Sequence, residues 1–163
     1  MSKGQITYEV AITAIIVKDG KYLITRRSKN KKRFPGMWTV PGGRLEPSDY
    51  SGFPKDTKYY WYNVLEKTLT REVMEEVGLE INNLRYVTSL ANIHEDGAPS
   101  LVISCLADYK SGEVKLQEEE TDRYEWVTLK ESKDYELIDG IHDELAMAEN
   151  VLKTGRIGEW KRY

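Results

Sequence analysis

The sequence has little cysteine and histidine: one cysteine, Cys105, and two histidines in 163 residues. A single cysteine cannot form an intramolecular disulfide, and no paired Cys or His spacing indicates a zinc site, so we expect a reducing, cytoplasmic compartment. Long apolar runs are also lacking, because the longest early run, 11–17, has seven residues where a membrane span needs roughly 20. That run follows Glu9 and not a basic stretch, so we expect neither a membrane segment nor a targeting signal.

Positive charge is not in excess. The 24 Lys and Arg residues face 27 Asp and Glu residues, which gives a net charge of −3. This is the wrong sign for a protein that grips nucleic acid mainly through phosphates, so we expect no nucleic-acid partner. A polyanionic ligand would need a local basic patch or a metal ion. The length and the lack of repeats or linkers favour one domain over residues 1–163.

Alternating and continuous apolar patterns predict the strands. Segments 8–17 and 22–25 flank Asp19-Gly20, a dipeptide typical of a tight hairpin turn, so they predict two antiparallel strands. Further strands are predicted at 37–40, 84–92, 99–109 and 123–129. Segment 99–109 is almost continuously apolar, which favours a central position in the sheet.

Two segments have helical periodicity. Apolar residues recur every four positions between Val64 and Val77, which predicts a helix that stops at Gly78. Asn63 is its predicted N-cap, and Glu66 would complete a capping box. A second amphipathic helix is predicted over 143–153. Interleaved helices and strands without strict alternation predict an α/β (α+β) fold with a mixed β-sheet between helices.

Three carboxylates share one face of the first helix. At about 100° per residue, Glu72, Glu75 and Glu76 fall within an arc of about 100°. Glu76 borders the apolar stripe, where desolvating an unpaired carboxylate costs several kcal/mol. A hard divalent cation, Mg²⁺ or Mn²⁺, would resolve this conflict, because such ions prefer oxygen ligands. A solvated acidic helix end is the alternative explanation.

The surrounding residues carry a family resemblance. Residues 71–79, R-E-V-M-E-E-V-G-L, match every fixed position of the second half of the Nudix box, R-E-U-x-E-E-x-G-U with U aliphatic. Residues 38–43, W-T-V-P-G-G, resemble the strand and glycine loop that open the same box. The chain therefore resembles the Nudix hydrolases, and among them the MutT-like members. The resemblance implies an α/β/α sandwich and a metal-dependent diphosphate hydrolase.

The resemblance also implies roles for individual residues. Mg²⁺, or Mn²⁺, would be held by Glu72, Glu75, Glu76 and the backbone carbonyl of Gly42. The implied catalytic residues are Arg71, Glu72 and Glu75, and the acidic run 118–120 offers Glu119 as an alternative base. Substrate contacts are expected from Gly43 and from the basic run 26–33, namely Arg26, Arg27 and Arg33. For both charged runs, an ordinary solvated loop is the competing explanation.

One departure from the family pattern concerns the partner of the motif arginine. Counting back from Arg71 puts the family's first box glutamate at Asn63, which is not a carboxylate, and about 14 residues, 49–62, look inserted. Glu46, Asp49 or Asp56 would then pair with Arg71. The insertion is rich in aromatic residues, which would stack on a nucleobase or pack onto the core or a second copy in a homodimer.

We expect a small-molecule nucleotide as the substrate. The leading prediction is hydrolysis of a nucleoside triphosphate, or an oxidised relative, to a nucleoside monophosphate and pyrophosphate. An ADP-ribose or nucleotide-sugar pyrophosphatase is the alternative enzyme. A nucleotide-sensing module that binds without turnover is the alternative outside enzymes, but it has no need for the three retained helix carboxylates.

Overall fold

Seven strands and two helices make up the fold of residues 4–162. A computed structural model describes residues 4–162. The strands are β1 (Glu9–Lys18), β2 (Lys21–Arg27), β3 (Trp38–Thr39), β4 (Gly42–Arg44), β5 (Glu80–Ile93), β6 (Pro99–Ser111) and β7 (Thr121–Val127), and the helices are α1 (Val64–Val77) and α2 (Ile141–Thr154). Short 3-10 turns lie at Pro47–Asp49 and Glu131–Asp134. No helix within residues 4–162 is long and apolar enough to cross a membrane.

The predicted hairpin joins β1 to β2. Asp19 and Gly20 both have positive φ angles, 50° and 73°, as a type I′ turn requires. Beyond this turn the two strands separate, because β2 goes on to pair with β3 and β7. The earlier part of β1 pairs with β4 instead, at Ala11 to Thr13.

The sheet is mixed, as predicted. Its central order is β3-β2-β1-β6-β5, with β4 beside β1 and β7 beside β2. β1 and β6 are parallel over nine residue pairs, and the other pairings are antiparallel. β6 lies between β1 and β5, so the prediction of an interior position for segment 99–109 is confirmed.

The helices cover opposite faces of the sheet. Side chains alternate along β1, so Ile15 joins one core with α2 while Ile12 and Ile16 join another core with α1. Leu145 and Val151 anchor α2, and the buried face of α1 is formed by Leu69, Val73 and Val77. The prediction of a sheet between helices is confirmed. α1 is thereby fixed with its acidic face beside β4.

The capping prediction at α1 is wrong in its chemistry. Asn63 does precede the helix, but its backbone is left-handed, with φ 55° and ψ 35°, and its side chain makes no capping hydrogen bond. A side-chain cap needs an extended backbone at this position. Asn63 is instead used because asparagine tolerates a positive φ. The prediction also missed β4, because Gly42-Gly43 has no strand propensity and pairs only through contact with β1.

Candidate active site

Two glutamates of α1 face the glycine strand β4. Packing of Leu69 and Val73 against the sheet places Glu72 and Glu76, one helical turn apart, over Gly43 and Gly42. The N–H of Gly42 donates a hydrogen bond to Oε2 of Glu76 at 3.1 Å. The family resemblance predicted a role for the carbonyl of this residue, whereas the contact seen here is made by its N–H.

Glycine at position 43 makes room for the Glu72 carboxylate. A Cβ at Gly43 would lie 2.5 Å from Cδ of Glu72, and 2.7 and 2.8 Å from its two oxygens. Real Cβ atoms do not approach that closely, so any side chain at this position would displace the carboxylate. Gly42 is restricted differently, because a Cβ there would lie 2.4 Å from the backbone oxygen of Ile12.

Burial raises the pKa of two of these carboxyls. Glu76 is the most affected, because its burial, together with the negative charges of Glu120 and Glu72, raises its pKa to about 7. The hydrogen bond from the N–H of Gly42 acts in the opposite direction and lowers this pKa. Burial also raises the pKa of Glu72, with nearby Glu75 adding to the effect and Arg71 opposing it. These carboxylates therefore lie where negative charge is unfavourable unless a cation is present.

Arg71 holds the outer carboxylates in place. Its guanidinium donates to both oxygens of Glu75, at 3.1 and 3.0 Å, and to Oε1 of Glu72 at 3.2 Å. It also forms an ion pair with Asp49, whose side chain is only 9% exposed. Of the three carboxylates that the sequence left open for this pairing, Asp49 is the one in contact with Arg71.

A signal for Asp49 was present in the sequence. Asp49 is the sixth residue after Gly43, which is where the family pattern, counted forward, places its first box glutamate. Counting back from Arg71 instead led to Asn63, which lies outside this network. The two counts disagree because the extra residues come after Asp49, between the 3-10 turn and α1.

The acidic run before β7 lies next to the C-terminal end of α1. The N–H of Gln117 donates to the backbone oxygen of Glu76 at 2.9 Å, which docks this loop on the end of α1. Glu120 is close enough to raise the pKa of Glu76, and it forms an ion pair with Lys31. Glu119, which the sequence offered as an alternative base, lies exposed on the same turn.

The three arginines of the basic run point to different places. Arg27 is nearest the carboxylates, since its charge interacts with Glu76 and Glu120, and its Nε donates to the backbone oxygen of Arg33 at 2.8 Å. Arg26 instead forms two hydrogen bonds with Asp122, at 2.7 and 3.0 Å. The side chain of Arg33 binds Glu9 at 2.9 Å. Of these three arginines, Arg27 is therefore the one whose charge acts on the carboxylate cluster, through the electrostatic interaction with Glu76 and Glu120.

The donor set fits a hard divalent cation. Its side chains offer oxygen atoms only, which suits Mg²⁺ or Mn²⁺. The glycine at position 43 leaves space against Glu72 that a Cβ would fill, and Glu76 is buried enough to raise its pKa to about 7. Within residues 4–162 no three acidic, His or Cys side chains are already gathered tightly enough to hold a metal ion. Glu75 is directed to Arg71 and Glu76 to Gly42.

Comparison with known proteins agrees with this arrangement. The family model of the NUDIX domain matches residues 7–146. A curated relative, the NAD-capped RNA hydrolase NudC of Mannheimia succiniciproducens, is 34% identical over 125 residues, or 74% of this chain and 40% of the relative. NudC of Actinobacillus succinogenes is 33% identical over 128 residues, or 76% of this chain and 42% of the relative. The chain thus spans about two fifths of the length of these curated relatives.

Solved structures share the fold. A NUDIX hydrolase from Alicyclobacillus acidocaldarius superposes with a TM-score of 0.71 and 18% identity, over 96% of this chain and 100% of that one. The NUDIX domain of Shewanella oneidensis NrtR, solved with ADP ribose, gives a TM-score of 0.67 and 18% identity, over 92% and 90%. At such identities the likeness concerns the fold alone. The family match over residues 7–146, the intact box residues 71–79 and their placement against Gly42-Gly43 lead to one conclusion: this chain belongs to the NUDIX domain family.

Proposed function

We propose that this chain hydrolyses a diphosphate linkage in a nucleotide with the help of Mg²⁺, or of Mn²⁺ in its place. The observation that carries the proposal is the set of helix carboxylates held against Gly42-Gly43. Glu72, Glu75 and Glu76 would hold the cation. When bound, a divalent cation neutralises phosphate oxygens, orients the substrate and lowers the pKa of the attacking water.

The chain's own residues would divide the remaining tasks. Arg71, fixed by Asp49, orients Glu72 and Glu75. Arg27 offers a positive charge near the carboxylates, where it would stabilise a phosphate oxygen. For the base that takes the proton of water, the acidic run offered Glu119, but the negative charge of Glu120 is near enough to raise the pKa of Glu76, which favours Glu120 within that run. Glu72 and Glu75 remain the alternative bases.

Two substrate classes are supported by different observations. The MutT-like resemblance favours a nucleoside triphosphate, cleaved to a monophosphate and pyrophosphate. The NudC relatives favour a dinucleotide diphosphate, such as the NAD cap named for them, which would give two mononucleotides. ADP-ribose and nucleotide sugars, which would give a monophosphate and a sugar phosphate, remain the third class.

The predicted domain organisation also belongs to this proposal. We keep a single domain over 1–163, of which residues 1–3 and 163 lie outside the described part. We propose an insertion at about 49–62 within the box, and the contact of Asp49 with Arg71 supports a start directly after Asp49. Cys105 is a single buried thiol, which supports the cytoplasm as the proposed compartment.

Product analysis tests the function. Nucleoside triphosphates including 8-oxo-dGTP, ADP-ribose, a nucleotide sugar, NAD and NAD-capped RNA would each be incubated with Mg²⁺ or with EDTA. The variants are Glu75→Gln and Glu76→Gln, with Glu66→Gln as the matched control, because Glu66 lies exposed on the first turn of the same helix. We expect metal-dependent products that both site variants lose and the control keeps. Nucleotide binding without turnover of any substrate would favour the sensing module instead.

A further inference from the structure

Residues 50–62, here called the aromatic insertion, carry an unusual set of exposed rings. Four large aromatic side chains lie more than half exposed: Phe53 at 67%, Tyr59 at 62%, Tyr60 at 64% and Tyr62 at 58%. Large aromatic side chains stabilise a fold when they are buried. Because these four side chains are exposed, they contribute little of this free energy to folding. Exposed groups of large apolar side chains mark candidate binding surfaces.

The aromatic insertion has its own internal structure, so the exposure is not that of a loose strand. The indole Nε1 of Trp61 donates to the backbone oxygen of Phe53 at 2.8 Å. The N–H of Tyr62 donates to Oδ2 of Asp56 at 2.8 Å. Tyr50 and Trp61 pack together with ring centroids 5.3 Å apart. This inner pair and its hydrogen bonds hold the segment in shape while the other rings face solvent.

Positive charge is interleaved with the rings. Lys55 Nζ lies 5.1 Å from the Trp61 ring centroid, and Lys58 Nζ lies 5.1 Å from that of Tyr59. The insertion holds these two lysines against one acidic residue, Asp56. Rings on which bases stack, combined with cations that track phosphates, are how proteins bind single-stranded nucleic acid. Pairing of two copies through this surface would instead bring like charges together.

The position of the aromatic insertion connects it to the candidate active site. Tyr50 directly follows Asp49, which contacts Arg71, and Tyr62 is separated from α1 by Asn63 alone. The first end of the insertion therefore adjoins the Asp49–Arg71 ion pair, whereas its second end lies at the start of α1, about 13 Å along the helix axis from Glu72. A nucleotide chain with its terminal diphosphate at the carboxylate cluster would reach the first end of the insertion within a few nucleotides.

We propose that the aromatic insertion binds the bases and phosphates of a single-stranded RNA whose 5′ end enters the active site. This inference rests on the proposed function only for the position of the 5′ end. The net charge of −3 argued against nucleic acid as the main ligand, but a local patch of rings and lysines requires no overall positive charge.

The test is RNA binding by the full chain, measured by fluorescence anisotropy. The probe is a 3′-labelled oligouridylate of about 12 nucleotides with a 5′-hydroxyl, a length within the usual site sizes. EDTA is present, so binding is independent of hydrolysis. The triple variant Phe53→Ala, Tyr59→Ala, Tyr60→Ala should bind at least about tenfold more weakly. The control Tyr86→Ala removes a ring of the same kind from the edge strand β5, where it is 45% exposed, and should bind like the parent chain.

The lysines give a second, independent readout. Each phosphate neutralised on a single strand contributes about 0.7 to the slope of log K against log salt concentration, so Lys55→Gln with Lys58→Gln should reduce the slope by about 1.4. All variants change exposed side chains, and unchanged thermal midpoints would show that they fold.

Two results would overturn the proposal. One is equal RNA affinity of the triple variant and the parent chain. The other is that the parent chain is a dimer and the triple variant is a monomer with undiminished RNA affinity. The rings would then be a self-association surface. Failure of the proposed function would give a different result. RNA binding would still depend on the rings, but the product analysis would find no cleavage of any nucleotide substrate.

Discussion

Glu76 links the site to the stability of the fold. Its pKa is raised from 4.5 to about 7 by burial, so between these pH values the folded chain binds more protons than the unfolded chain. The free energy of unfolding must therefore fall as pH rises from about 4.5 to about 7. Without metal, the ionised carboxylate is tolerated by the fold and does not stabilise it.

Replacement of Glu76 by Gln should remove this pH dependence. In EDTA at about pH 8, the free energy of unfolding of Glu76→Gln should exceed that of the parent chain by about 1 to 3 kcal/mol. This difference in stability should vanish as the pH falls towards about 4.5. Urea unfolding at a series of pH values measures the difference. A gain that is the same at every pH would show that Glu76 is not held in an unfavourable ionised state.

The two glycines of β4 should respond differently to alanine. Gly43→Ala meets the end of a flexible side chain, Glu72, so stability should change by less than about 1 kcal/mol while activity falls about tenfold to a hundredfold. Gly42→Ala meets the backbone of Ile12 and Thr13 and should cost about 2 kcal/mol of stability. Urea unfolding and initial rates separate the two effects. Unchanged activity in Gly43→Ala would mean that the position of Glu72 does not matter.

Asp49 should matter to catalysis although we assign it no contact with substrate. Asp49→Asn weakens the hold on Arg71, and such supporting contacts commonly change activity about tenfold to a hundredfold. The matched control is Glu46→Gln, the neighbouring carboxylate of the same turn, which should leave the turnover number almost unchanged. Steady-state kinetics measures the turnover numbers of both variants. Equal losses in the two variants would contradict a specific role for Asp49.

At the level of the elements, the start of α1 depends on backbone conformation. Asn63 has a φ of 55° and no side-chain cap. Asn63→Gly should therefore change the free energy of unfolding by less than about 0.5 kcal/mol, whereas Asn63→Ser should lower it by about 1 kcal/mol because serine resists the left-handed region. Urea unfolding measures both. If Asn63→Ser left the stability unchanged and Asn63→Gly lowered it, the result would support the side-chain cap predicted from the sequence.

The elements themselves were largely predictable, but their contacts were not. Periodicity located α1, α2 and the long strands because each buries one face, and Asp19-Gly20 marked the β1–β2 turn. It did not show β4, whose glycines pair with β1 only through the folded sheet. The sequence also left three candidates for the partner of Arg71. Residues 50–62 separate Asp49 from α1 along the chain, and only the folded structure shows that Asp49 contacts Arg71.

At the scale of the whole molecule, the box residues made the fold predictable from the sequence. Residues 71–79 specify a helix end with carboxylates on one face, and residues 38–43 specify the strand and glycines that meet it. The directions of Arg26, Arg27 and Arg33 were not predictable, because strand alternation and the ion pairs with Asp122 and Glu9 decide them. The exposure of the insertion's rings also follows only from the folded chain.

The central claim is that Glu72, Glu75 and Glu76 hold a divalent cation against Gly42-Gly43. Titration of Mn²⁺ followed by electron paramagnetic resonance tests this claim without any substrate. We predict that the parent chain and Glu66→Gln bind Mn²⁺ alike, that Gly43→Ala binds more weakly, and that Glu76→Gln loses at least about tenfold in affinity. Equal Mn²⁺ affinity in all four proteins would contradict the claim.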